Sequence, residues 1–317
     1  MKKFDVVLVG EFNLDLVFYG LPETLPPEHE LLASDMALLL GGSTAITAHN
    51  LACLGNRVGL IAPTANDLLA GFCTRELEHG GVDLSRAVAA PRGLRTGVSV
   101  HLQHEALRRS FTYAGSTACL RFEDLDLDYL RNARHFHLSS FFLQRALIDD
   151  VPRLLGRMKE AGLSTSLDTN DDPTATWAGP IAESLKHVDI LMPNEREAMA
   201  LSGEDSVELA IRSLAHLVPV LVVKRGSQGA VVLDHGRRLE QPAFSVSLVD
   251  AVGAGDSFNA GFLHGYLNSW PMERCLLSGN LAGAYSTTQM GGVAAFREKR
   301  LMEEFFDIRA PGLFSHA

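Results

Sequence analysis

Apolar residues follow two alternating rhythms along the chain. Runs at 5–9, 59–62, 135–138, 164–167, 188–192, 218–223 and 230–233 are short and largely apolar. Near-continuous apolar runs of this length are what strands buried on both faces require. Between them, 44–54, 147–161, 206–217 and 257–267 carry apolar residues at helical spacing. Strands alternating with helices predict an α/β fold with a mostly parallel central sheet and helices on both faces.

Two stretches break the alternation. One is 14–40, with Pro22, Pro26 and Pro27; the other is 95–113, where TGVSVHLQ and RRSFTY read as the strands of a hairpin. Strand signals without helices predict a small sheet standing off the main one, and a lid is its natural use. Extra edge strands on the main sheet are the alternative. No repeat, linker or low-complexity tract divides the chain. The expectation is one domain over 1–317 with a lid from insertions at about 14–40 and 95–117.

Composition narrows the function classes. The chain has 317 residues, 46% of them hydrophobic and 21% charged, which excludes disorder and allows a substantial core. With 28 Lys and Arg against 38 Asp and Glu, the net charge of −10 offers no basic footprint for nucleic acid or an anionic membrane. A phosphorylated ligand would need a local device. Cys53, Cys73, Cys119 and Cys275 are scattered, so neither a zinc site nor a disulfide framework is expected, and a reducing cytoplasm fits. The apolar run in MKKFDVVLVGEFN is too short for a signal or a membrane span and reads as a first strand. His135 and His137 have metal-chelating spacing, but inside an apolar strand they read as a half-buried pair.

The most informative segment runs from Asp250 through Gly253-Ala254-Gly255-Asp256 to Phe262. Gly253 and Gly255 allow a tight turn, and a helix beginning near Ser257 points its free N–H groups back at that turn. Those donors and the helix dipole make an anion hole. An aspartate at its mouth repels phosphate, yet it suits a base taking the proton from an alcohol that attacks a phosphorus held by the amides. An Asp N-cap after a glycine turn has the same spacing.

With Asp250 ahead of it and a small-residue helix behind, this segment resembles the C-terminal signature of the ribokinase-like (PfkB) carbohydrate kinase family. The resemblance implies that Asp256 is the catalytic base and that the amides of Gly253, Ala254, Gly255 and Asp256 steady the transferring phosphoryl group. Leu191-Met-Pro-Asn194-Glu195-Arg196-Glu197 is similar to the family's Asn-x-x-Glu motif. It implies a role for Asn194 and Glu197 in placing Mg²⁺, through water at Glu197, and the nucleotide phosphates. The segment from Lys224 to Ala230 resembles the strand-turn-strand lining ATP, with Lys224, Gly226, Ser227 and Gly229 near the nucleotide and Asn280 flanking adenine. Asp250 and nearby carbonyls correspond to the place where members bind a monovalent cation such as K⁺.

Upstream, Asn13 and Asp15 are similar to the family's sugar-binding positions, and a carboxylate accepting two hydroxyl hydrogen bonds discriminates strongly. Gly41-Gly42 resembles the turn that opens the first long helix and lets the sugar lie against backbone. Ile46 stands where many members carry a substrate-binding Asn; Asn50, one turn later, is the residue that could take over. Asn170 is placed near the active site, and Asp172 stands where ketodeoxygluconate kinases have Arg. Asp171 and Asp172 therefore argue against an acidic sugar and for a neutral sugar or polyol.

An ATP-dependent carbohydrate kinase is the expectation, dimeric through its lid. Two alternatives stay open. One is a nucleoside kinase of the same fold with Ile46 and Phe12 lining a base pocket. The other is a catalytically silent ligand sensor, against which Asp256 and both glycines argue. A Rossmann oxidoreductase is excluded, since Gly10 alone follows the first strand.

Overall fold

A computed structural model describes residues 2–24, 26–104 and 107–314; Leu25, Glu105 and Ala106, inside the two insertions, lie outside them. In chain order come β1 (Phe4–Val9), β2 (Asn13–Tyr19), β3 (Asp35–Gly41), α1 (Ser43–Cys53), β4 (Val58–Ile61), β5 (Pro63–Thr64), α2 (Leu68–His79) and β6 (Val88–Ala89). Then follow β7 (Val98–His104), β8 (Leu107–Tyr113), α3 (Leu127–Arg131), β9 (Ala133–Leu138), α4 (Val151–Glu160), β10 (Ser164–Leu167), α5 (Ile181–Leu185) and β11 (Ile190–Leu191). The last elements are α6 (Glu195–Ser202), α7 (Val207–Leu214), β12 (Val220–Lys224), β13 (Ala230–Asp234), β14 (Arg237–Gln241), α8 (Ala254–Leu267), α9 (Met272–Ser286) and α10 (Lys299–Arg309).

Val6, Val7, Leu8 and Val9 are all fully buried, as a central parallel strand demands. The main sheet is eight-stranded, in the order β14-β13-β12-β11-β10-β9-β1-β4. It is parallel from β4 to β12, and the antiparallel β13 and β14 finish one edge. Val7 and Val9 of β1 face a core that includes Leu130, Leu154, Leu185 and Ile211 from α3, α4, α5 and α7. Val6 and Leu8 face the opposite core with Ala45, Cys73, Phe262 and Leu276 from α1, α2, α8 and α9. The sheet is thus covered on both sides, as the sequence rhythm predicts. α4 is shorter than 147–161, because Pro152 favours a helical first turn and a 3₁₀ turn, Ile148–Asp150, precedes it.

The insertions form a separate four-stranded sheet, β3-β2-β7-β8. β7 and β8 pair antiparallel, Ser99 opposite Thr112, and β2 runs parallel to β7 with Asp15 opposite Ser99. Alternation gives this sheet two unlike faces. Asn13, Asp15, Ser99, His101, Ser110 and Thr112 share one; Leu16, Phe18, Met36, Leu38, Val100, Phe111 and Tyr113 share the other. On that apolar face Met36 is 49% exposed, Leu38 47%, Phe111 59% and Tyr113 54%. No helix among the described residues is long and apolar enough to cross a membrane, and the four cysteines are unpaired.

Candidate active site

α8 starts from Gly253, whose φ of 72° lies in the left-handed region, and a methyl group there would stand 2.5 Å from Gly292 Cα. The helical ladder opens with Ser257 N–H donating to Gly253 O at 2.9 Å. The N–H groups of Gly255 and Asp256, in the first turn, therefore have no intrahelical partner, and with the helix dipole they favour an anion. Asp256 is the third residue of α8 and Gly253 its cap, so the N-cap reading of Asp256 does not hold.

The Asp256 carboxylate is only partly exposed. Ser43, the first residue of α1, donates its hydroxyl to Oδ1. Burial, helped by Asp168 and Glu11, pushes the Asp256 carboxyl up to about 7 against the Ser43 hydrogen bond and Lys224. Ser43 Oγ accepts in turn from Asn170 Nδ2 at 3.0 Å, and Asn170 Oδ1 accepts the Ser140 N–H at 2.7 Å. Ser140 Oγ donates to the buried Glu11 at 2.8 Å, which also accepts from Gln144 Nε2 at 2.6 Å and Thr44 Oγ1 at 3.1 Å. Asn170 and Ser140 both sit at positive φ, 52° and 55°. Such backbone persists where surrounding structure over-determines it.

Lys224 closes β12 beneath the glycine turn. A methyl group at Gly255 would stand 3.6 Å from its Nζ, which donates to the fully buried Asp168 and, at 3.3 Å, to Asn259 Oδ1. Burial lowers the Lys224 ammonium, but Asp168 and Glu197 outweigh it, and its affinity for the proton ends above the ordinary value. Asn194 caps α6: its Oδ1 accepts the Glu197 N–H at 2.9 Å, and Glu197 accepts the Asn194 N–H at 2.9 Å and Nδ2 at 2.6 Å. Asn194 and Lys224 bridge neighbouring strand ends. Burial and Asp168 raise the Glu197 carboxyl. Asp168, Glu197 and Asp256 thus all act on one ammonium; among the described residues no group of three His, Cys, Asp or Glu could hold a metal ion by itself, so Mg²⁺ here would be held through phosphates and water.

Asp15 stands on the polar face of the second sheet. It is buried; its Oδ1 accepts from Asn13 Nδ2 at 2.9 Å and lies 3.6 Å from His101 Nε2. Gly41 is required here, because a methyl group on it would come within 2.2 Å of Asp15 Oδ1. Gly42 follows with Asn13 Oδ1 beside it, and Ser43 comes next. Three consecutive residues therefore connect the Asp15 carboxylate to Asp256.

Other expected residues are placed differently. Asn50 cannot take over from Ile46: it is fully buried, with Nδ2 donating to Ser257 Oγ at 2.9 Å and Gly292 O at 2.8 Å. Ile46 and Phe12 are buried core residues, 3% and 0% exposed, and line no base pocket. Asp172 closes its own loop, accepting N–H groups of Thr174, Thr176 and Trp177, and Asp171 pairs with Arg196 at 2.9 Å. Their expected effect on an acidic substrate falls away. Asn280 Nδ2 donates to Gln241 O at 2.9 Å, tethering the last residue of β14. Gly226, Ser227 and Gly229 form the short turn after Lys224, with Ser227 exposed. His135 and His137 are fully buried and bound by Ser164, Ser166 and Ser139.

Asp250 Oδ1 accepts the Val252 N–H at 3.0 Å, and Oδ2 accepts the Gly291 N–H at 3.0 Å and the Tyr19 hydroxyl at 3.1 Å. These oxygens are already supplied with donors and do not fit a resident monovalent cation. Sequence reasoning missed Glu11, Ser43, Ser140, Asp168 and Asn259. Several lie in or beside the segments read above, Asp168 two residues before Asn170 and Ser43 next to Gly42, but only contacts across the fold give them a role.

The chain as a whole is similar to known proteins. The model of the pfkB family carbohydrate kinase matches residues 3–299. An ATP-dependent ribose-1-phosphate kinase from Halopiger xanaduensis is 31% identical over 268 residues, 82% of this chain and 87% of that protein. A 5-dehydro-2-deoxygluconokinase from Geobacillus kaustophilus is 25% identical over 299 residues, 89% of this chain and 88% of that one. Among solved structures, a putative ribokinase II from E. coli in complex with ATP and Mg²⁺ superposes with a TM-score of 0.82 at 24% identity, covering 96% of this chain and 99% of that one.

Proposed function

The chain belongs to the pfkB family of carbohydrate kinases, and from that membership we propose that it transfers the γ-phosphoryl group of ATP to a hydroxyl of a small sugar or polyol, with Asp256 as general base. One observation carries this reading. Asp256 stands in the first turn of α8, beside unpaired N–H groups, and Gly41-Gly42-Ser43 joins it to Asp15. Two residue steps put at most about 7 Å between the Cα atoms of Gly41 and Ser43, so the two carboxylates stand at the two ends of one short backbone segment.

In this mechanism Asn13 and Asp15 accept and orient sugar hydroxyls against the Gly41-Gly42 backbone. Asp256 takes the hydroxyl proton as that oxygen attacks the γ-phosphorus in line, and ADP leaves. The amides of Gly255 and Asp256 and the Lys224 ammonium hold the phosphoryl oxygens, while the turn at Gly226, Ser227 and Gly229 lies along the nucleotide. Glu197, with Asn194, would hold Mg²⁺ through water, and the ion would supply positive charge against the phosphates. The second sheet serves as a lid that excludes water from the transfer, and its apolar face pairs with that of a second copy. A neutral acceptor is favoured because Asp15 and Asp256 flank its place and Glu11 lies behind. The four free cysteines fit a reducing cytoplasm.

ADP release measured against sugars, polyols, nucleosides, ribose 1-phosphate and 5-dehydro-2-deoxygluconate tests the reading. A neutral sugar or polyol is expected to react, and Asp256→Asn to lose roughly 10²–10⁴ in kcat. Wild-type turnover by that variant would remove the base; a panel without any acceptor would favour a ligand sensor.

A further inference from the structure

The loop behind the anion hole is held by an unusual number of protein donors. Asp250 is 1% exposed and Asn50 fully buried. Besides the three donors on Asp250, Thr287 O accepts the N–H groups of Val249 at 2.8 Å and Asp250 at 3.3 Å. Gly292 O accepts from Asn50 Nδ2 at 2.8 Å, while the Ser257 hydroxyl donates to Gly253 O at 2.8 Å. A carboxylate offers about four lone-pair sites and each carbonyl two, so these six donors meet most of the lone pairs of the three groups.

The loop matters to the anion hole because Gly292 packs directly on Gly253, the cap of α8, with Ile46 against both. Whatever fixes the 287–292 backbone also fixes the amides that open α8. We infer that Tyr19 and Asn50 are positioning residues that do here what a monovalent cation would do, so that the site neither needs nor binds K⁺. Tyr19 reaches Asp250 from the second sheet, which ties that sheet to the anion hole in the same contact. Asn50 reaches Gly292 from α1, the helix whose first residue holds Asp256.

The inference rests on the kinase reading for its catalytic consequence but not for its binding test. Thermal unfolding of the wild-type protein is compared in KCl, NaCl and choline chloride at equal ionic strength, with no substrate present. Indistinguishable Tm values are expected, since a cation at about a hundred times its Kd would raise Tm by several degrees. A rise specific to K⁺ overturns the inference even if no acceptor is ever found. Where ADP release is measurable, the wild type is expected to stay within about twofold across the three salts; activation by K⁺ of about tenfold or more, roughly the reach of a single lost charged contact, overturns it. Tyr19→Phe removes one donor and frees an Asp250 lone pair, so its Tm is expected to fall and to recover partly in KCl but not in choline chloride. A Tyr19→Phe protein as stable as the wild type and indifferent to K⁺ removes Tyr19 from the role. Should that variant not fold, the wild-type salt series still decides.

Discussion

Burial and the neighbouring Asp168 and Glu11 carboxylates hold the Asp256 carboxyl near 7, where a base is poised to take a proton at physiological pH. kcat/KM is therefore expected to fall as pH drops below about 7, approaching tenfold per unit. The effect on stability has the opposite sense. Between the ordinary value of 3.8 and about 7 the folded protein holds a proton that the unfolded chain has lost, so this group's contribution is full at low pH and declines as pH rises. Asp256→Asn should accordingly unfold at a higher Tm than the wild type at pH 8, with the gap closing at lower pH, while losing activity. Ser43 donates to Asp256 and favours its charged form; with Asp168, Glu11 and Lys224 still facing the carboxyl, Ser43→Ala should move the acidic limb of kcat/KM to higher pH. A limb that stays in place would show that Ser43 only packs. Asp256 was legible because the turn, the glycines and the helix start are contiguous in sequence. Ser43 and Glu11 were not, because their partners lie 213 and 129 residues away.

At the scale of elements, the parallel strands were readable because burial on both faces leaves nearly unbroken apolar runs. β11 was read too long: only Ile190–Leu191 pairs in register, although Val188 and Met192 are buried too. Asn50 misled because helical spacing gives its face relative to Ile46 but not what packs against that face. The strands β9 and β10 carry a feature opposite in sign to Asp256. Burial lowers His135 and His137 to about 3, so both rings are neutral in the fold. Their contribution to stability is present above the ordinary 6.5 and lost as pH falls towards 3, because the unfolded chain binds the protons first. Urea titrations of His137→Asn and wild type should converge as pH falls from 7 to 4; parallel curves would place the charge elsewhere. On β3, Gly41→Ala should raise KM for the acceptor more than it lowers kcat, since the methyl group displaces the Asp15 carboxylate and leaves Asp256 untouched.

For the whole molecule, the net charge of −10 and a local anion hole are compatible because donors at one helix end act over a single turn. The second sheet was legible as strands, from proline and alternation, and its two unlike faces follow from the register. Contiguous exposed apolar residues on one side are uncommon on a monomer, and a dimer is the expected state by light scattering, with Phe111→Arg giving monomers. A monomeric wild type at micromolar concentration would remove that pairing. Asp15 and Leu16 are neighbours in one strand, so the surface that would meet a partner and the surface that would meet the acceptor are two sides of one backbone. Thermodynamic linkage then works in both directions: whatever factor pairing adds to acceptor affinity, the acceptor must add to pairing, and the dimer dissociation constant measured with and without acceptor would return that factor directly.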